Sequence, residues 1–184
     1  MAATVQINEW NGAAPGTPTD KTSGSVRFKN ADNATVDLND PLVVPSSGQE
    51  YSYEKWLRLR ITDAGGFTQI DNVRAYSDGA SGMGAGVKVW YAVAGAYRQP
   101  VIPNEADDPP RSDVAGSPLG DMVDFFASSS GSPIDLDGLN VGPFTDGSPL
   151  EDIGDFLVLV AEVEISASQG VTPSENVTFA WDEI

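Results

Sequence analysis

The stretch Tyr53-Glu-Lys-Trp-Leu-Arg-Leu-Arg-Ile-Thr62 decides the fold. Its residues alternate. Leu57, Leu59 and Ile61 fall on one side of an extended chain, and Trp56, Arg58 and Arg60 on the other. Wound as a helix, the same residues would spread their apolar groups all round. A β-strand is the form that sorts them, with one face for a core.

Downstream, Asp63-Ala-Gly-Gly66 reads as a turn and Phe67–Tyr76 as the next strand. Its apolar positions step from Ile70 to Val73, an odd spacing that predicts a bulge. Gly82-Met-Gly-Ala-Gly86 resembles a phosphate loop, but such a loop must open onto a helix. Here the β-branched run Val87–Val93 follows, so the glycines make a hairpin turn. Phe156–Ser166 is the longest strand, with Leu157, Leu159, Ala161, Val163 and Ile165 on one face. Phe156, Val158 and Val160 lie opposite, followed by Glu162 and Glu164. Its first half is expected to be covered on both sides and its second half on one. Val177, Phe179 and Trp181 close the chain as a strand.

Upstream, Thr4–Trp10, Val26–Lys29 and Ala34–Leu38 alternate as short strands, with Val5, Ile7 and Glu9 in phase. A Gly/Pro/Thr loop fills 11–24, and Asp40–Pro45 is extended chain fenced by prolines, suited to an edge. Asp121–Phe126 predicts one helical turn, with Met122, Phe125 and Phe126 at i, i+3 and i+4. Residues 103–120 and 127–155 are loop by composition, which makes 103–155 a long loop region of the kind that tends to be functional. The expectation is an all-β chain of about eight strands, an antiparallel β-sandwich, jelly-roll-like or immunoglobulin-like, forming one domain over residues 1–184.

Charge and composition narrow the chemistry. The chain carries a net charge of −17, and from Ser112 onward it has no Lys or Arg but 14 Asp and Glu. Such a surface repels phosphate backbones, so no nucleic-acid partner is expected. There is no His and no Cys, which removes the usual proton shuttle, the usual soft nucleophile, disulfides and Cys-ligated zinc. No apolar run approaches the ~20 residues that span a bilayer, so no membrane partner is expected. The opening residues Met1–Trp10 lack a basic and an apolar region, which argues against a secretory signal. Asn33-Ala-Thr and Asn176-Val-Thr are read as chance triplets.

Several candidate sites compete with plainer explanations. Among Lys21, Lys29, Lys55 and Lys88 nothing marks one as the base of a Ser–Lys pair. Glu162 and Glu164 share a face about 7 Å apart; a solvated face explains them better than a glycosidase pair. Asp135-Leu-Asp137-Gly138 and Asp146-Gly147 look like fragments of calcium loops. Val141, Gly142 and Pro143 supply no further ligands, so turns are the reading, with no metal and no cofactor. Trp56, Arg58, Arg60 and Trp90, with Arg74 and Lys88, outline an aromatic and basic face. Cross-strand packing accounts for it; a sugar platform, or a dock for the acidic half of a second copy, are its functional versions. Trp10, Phe125, Phe126 and Phe144 are the expected interface anchors.

The segments Gly24-Ser-Val-Arg-Phe-Lys-Asn-Ala-Asp-Asn-Ala-Thr-Val-Asp37, Asp40-Pro-Leu-Val-Val-Pro45, Tyr53-Glu-Lys-Trp-Leu-Arg-Leu-Arg60 and Val177-Thr-Phe-Ala-Trp-Asp-Glu183 carry a resemblance. They resemble small all-β virion proteins of tailed bacteriophages, of the type that decorates capsids. The resemblance implies a non-enzymatic sandwich bound to a capsid lattice in the virion. Its implied partners are the major capsid protein or other virion proteins, and its own copies in a homo-oligomer. It transfers no catalytic residues. The alternatives are a minor tail or neck component, a carbohydrate-binding module or adhesin-like domain using Trp56, Trp90 or Tyr91, and, third, a carboxylate glycosidase.

Overall fold

Leucine and isoleucine on one face of a strand need a second layer to bury them, and the chain supplies it. The computed structural model describes residues 3–63, 68–111, 119–145, 152–170 and 173–184. Its strands are β1 (Thr4–Asn11), β2 (Thr17–Asp20), β3 (Gln49–Tyr51), β4 (Lys55–Asp63), β5 (Gln69–Tyr76), β6 (Val87–Ala94), β7 (Val123–Asp124), β8 (Ile134–Asp135), β9 (Phe144–Thr145), β10 (Asp152–Glu164) and β11 (Thr178–Glu183). The larger sheet has the order β2-β1-β4-β10-β6-β7, with β3 also paired to β10. The smaller has the order β11-β5-β8, with β9 also on β5. Every pairing is antiparallel. The fold is an antiparallel β-sandwich.

The main core lies between the sheets. Leu57, Leu59 and Ile61 of β4 and Leu157 and Leu159 of β10 meet Ile70, Val73 and Ala75 of β5. Phe125 and Phe126 complete it. A second cluster covers the opposite face of the larger sheet, where Trp56, Phe156, Val158 and Val160 lie under Met122, Leu119 and Tyr97. β10 is thus enclosed on both faces, and its sequence reads as a continuous apolar run for that reason. Each fully buried side chain of this size contributes about 1.5–3 kcal/mol.

Two bulges steer the strands. In β10, the four steps from Ile153 to Leu157 pass only the two steps from Leu59 to Leu57 on β4. Gly154 sits in this bulge at φ 65°. The bulge turns Asp155 to face the 136–140 turn, whose Leu139 and Asn140 amides it accepts at 2.9 and 2.7 Å. In β5, Asn72 adopts φ 55°, and the pairing with β11 shifts between Ala180 and Asp182. The Ile70–Val73 spacing is the sequence trace of that kink.

Several expectations need correction. Val26–Lys29 and Ala34–Leu38 are not strands; 22–48 is irregular throughout. Thr17–Asp20, read as loop, is an edge strand on β1 that tolerates Pro18. The 103–155 region is not a long loop, because β7, β8, β9 and the start of β10 lie within it. The expected helical turn is instead β7 followed by a 3₁₀ turn at Phe125–Ala127, capped by Asp124. The second half of β10 is covered on both faces as well, with Glu162 at 1% exposure. The 64–66 part of the first glycine turn, Phe67 and the Asp146-Gly147 fragment lie outside the described residues.

A Cβ on Gly154 would stand 2.7 Å from the Leu136 carbonyl oxygen and 2.9 Å from Val73 Cγ1. Gly154→Ala is expected to destabilise the chain by about 1–3 kcal/mol, read as a lower urea midpoint with an unchanged far-ultraviolet spectrum.

Candidate functional site

Charged side chains inside the sandwich define the most elaborate site. Glu9 continues the inward face of Val5 and Ile7 on β1, and Lys55 continues that of Leu57 and Leu59 on β4. Both are 0% exposed. The Lys55 ammonium lies 3.2 Å from Glu9 Oε1 and the Lys21 ammonium 3.3 Å from Glu9 Oε2. Two buried charges tolerate each other only when paired and hydrogen-bonded. The remaining donors are used on the irregular segment: Lys55 donates to the Asn33 carbonyl at 2.9 Å and Lys21 to the Ala34 carbonyl at 2.6 Å. Lys29, 1% exposed, pairs with Asp37 at 3.1 Å. Asp32 accepts from Asn11 Nδ2 and from the Gly12 amide. Burial pushes the Lys55 amine below its ordinary pKa, against the pull of Glu9. The cluster seats residues 22–48 on the end of the larger sheet.

The other face carries the predicted aromatic and basic residues. Trp56, Arg58, Arg60 and Trp90 do share one side of the larger sheet, as does Lys88; Arg74 stands on the smaller sheet. Trp56, however, is 0% exposed. Its ring lies 5.5 Å from those of Tyr97 and Phe156, and its Nε1 donates to Glu54 at 3.0 Å. Arg98 grips Glu54 at 2.7 and 2.9 Å and covers the Trp56 ring. Trp56 cannot stack on a sugar there; the 97–101 segment has closed over it. Arg58 lies over the Phe156 ring, and Arg60 pairs with Asp152 at 3.2 Å. Lys88 sits between Glu162 at 3.3 Å and Glu164 at 2.5 Å, and Trp90 Nε1 donates to Glu162 at 2.6 Å. Glu164, through that contact, holds the Lys88 ammonium above its ordinary pKa. These contacts make Glu162 and Glu164 a structural clamp on Lys88, and they leave little positive charge on this face for the acidic half of another copy.

The expected interface anchors divide. Phe125 and Phe126 are 2% and 9% exposed and fill the core, so they are not surface anchors. Their i, i+1 ring contact at 5.6 Å forms inside the 3₁₀ turn. Phe144 packs partly buried against the main core and Trp10 against the second. Trp10 lies 5.8 Å from both Tyr97 and Phe156.

A shallow cleft on the smaller sheet is lined by Asp71, Asn72, Arg74, Pro133, Asp135 and Asp137. Here the bulge at Asn72 brings Asp71 against Asp137. Burial first, and then the hydrogen bond with Asp71, push the Asp137 carboxyl above its ordinary pKa, opposed by the Gly142 and Asn72 amides. Among the described residues no three acidic side chains are placed to hold a metal ion. Sequence reasoning missed both the buried cluster and this carboxyl pair. The first had a signal: opposite charges in phase with the apolar faces of two strands.

No protein-family model matches the chain, and comparison with curated proteins and with solved structures finds no match for it either.

The raised Asp137 pKa means the folded state holds a proton that the unfolded chain releases more readily. Its contribution is present below the ordinary carboxylate range and is lost as pH rises through the raised value. Asp71→Asn is therefore expected to stabilise the chain at pH 7 by about 1 kcal/mol or less, because solvent screens the pair. The gain should vanish at pH 3 in parallel thermal melts.

Proposed function

We propose that this chain is a non-enzymatic virion structural protein, a capsid-decoration subunit that binds the capsid lattice and works as one of many copies. The observation that carries the reading is the seating of residues 22–48. Buried lysines fix this strandless segment to the sandwich, yet it holds apolar side chains in solvent: Val36, Leu38 and Val43 are 53%, 70% and 59% exposed. The Asn30 amide closes on the Asp40 carbonyl at 2.7 Å, so the loop bearing Val36 and Leu38 is shaped before any partner arrives. Preorganised apolar loops lose little conformational entropy on docking. Weak contacts of this kind suffice when a lattice repeats them.

Two alternatives stand behind it. A minor tail or neck component would use the same loops. A carbohydrate-binding module would have to work without Trp56, from Trp90 and Tyr91, both half-buried.

Capsid shells prepared without this protein should bind the purified chain in a co-sedimentation assay. Val36→Asp with Leu38→Asp should lower occupancy at least about tenfold, since two apolar contacts of roughly 1 kcal/mol or more are lost. No binding by the wild-type chain, or undiminished binding by the double variant, would overturn the reading.

A further inference from the structure

We propose that Lys55 and Asn11 are joined by an intramolecular isopeptide bond, which the chain forms itself with Glu9 as proton carrier. The three side chains stand on neighbouring antiparallel strands. Trp10 pairs with Trp56. One step beyond, Asn11 on β1 and Lys55 on β4 face each other, on the side that also carries Glu9. Glu9 Oε1 lies 3.2 Å from the Lys55 amine and accepts from Asn11 Nδ2 at 3.4 Å. One carboxylate oxygen therefore touches both the nucleophile and the leaving group.

The surroundings suit the reaction. Lys55 and Glu9 are 0% exposed and Asn11 8%, so water does not dilute their contact. Burial favours the neutral amine that attack requires. The Asn11 carboxamide oxygen is buried without a hydrogen-bond partner. The Lys21 ammonium, on the far oxygen of Glu9 at 3.3 Å, adds positive charge to the cluster in which the Asn11 oxygen becomes an oxyanion.

The step balances without a co-reactant. Glu9 takes a proton from the Lys55 ammonium. The free amine attacks Asn11 Cγ, forming the Nζ–Cγ bond. Glu9 returns that proton to Nδ2 and takes the second one from Nζ, the Cγ–Nδ2 bond breaks, and ammonia leaves, carrying the second proton away as ammonium. Nothing is oxidised or reduced. The product closes a covalent ring from Asn11 to Lys55 that contains all of 22–48. Such a ring constrains the unfolded chain as a disulfide would, in a protein with no cysteine.

The test is the mass of the full-length chain after denaturation, followed by proteolysis and fragment sequencing. The expected result is a mass below that of the sequence by one ammonia, with a branched peptide joining the Asn11 and Lys55 segments. Glu9→Gln and Lys55→Met should each lose the branched peptide. A wild-type chain at full sequence mass overturns the proposal, whatever the variants do. So does loss of ammonia with only linear peptides, which a succinimide at Asn11-Gly12 would give.

Discussion

The structure depends on one carboxylate. Glu9, inside the sandwich, holds Lys55 and Lys21 at 3.2 and 3.3 Å. Their spare protons hold the carbonyls of Asn33 and Ala34. A chain with only 10 basic residues in 184 places four of them, Lys21, Lys29, Lys55 and Arg98, in its interior. Desolvating these charges is costly, and a better-packed apolar core would be at least as stable. What the ionic contacts provide is position. They fix an irregular stretch of backbone whose own composition could never bury enough surface to fix itself. Removing one partner would strand a buried charge, a loss of about 3–5 kcal/mol.

The larger sheet turns this local device into a platform. With both faces covered, β4 and β10 leave only edges and loops for contact. The smaller sheet and Phe125–Phe126 close one face, and Trp56, Tyr97 and Phe156 close the other. Glu54 serves the second face as Glu9 serves the first: Arg98, Trp56 and the Val101 amide all converge on it. In both places an acidic residue, Glu9 within β1 and Glu54 just before β4, organises the chain that crosses over it. A rigid body with shaped loops is the physical basis for proposing a lattice-bound role.

The sheets were legible where alternation is clean. Leu57-Arg-Leu-Arg-Ile61 and Val87–Val93 read correctly because their leucines, isoleucine and valines alternate along the chain. Trp56 read as part of a cross-strand packed face, which only the sugar-platform alternative needed exposed; its cover comes from Tyr97 and Arg98, in a stretch after β6 that alternation does not mark. Phe125 and Phe126 read as anchors because nothing near them in sequence shows that a 3₁₀ turn aims both rings inward. Val26–Lys29 and Ala34–Leu38 alternate without forming strands: Lys29 accepts a single backbone bond from the Tyr53 amide, and its side chain turns inward to Asp37. The cluster itself was half-visible. Glu9 fell in phase with Val5 and Ile7, and Lys55 with Leu57, yet a charge on an apolar face reads as a strand end until its partner is seen.

Hydrogen exchange of the backbone amides in 22–48 reports on whether buried charge holds this segment on the sandwich. In Lys21→Met with Lys29→Met, the apolar stems remain and the contacts of Lys21 with Glu9 and Ala34 and of Lys29 with Asp37 go. The Asn30 and Asn33 amides should lose protection while β4 and β10 keep theirs. Equal protection of 22–48 in the variant and the wild type would show that something other than buried charge holds the segment in place.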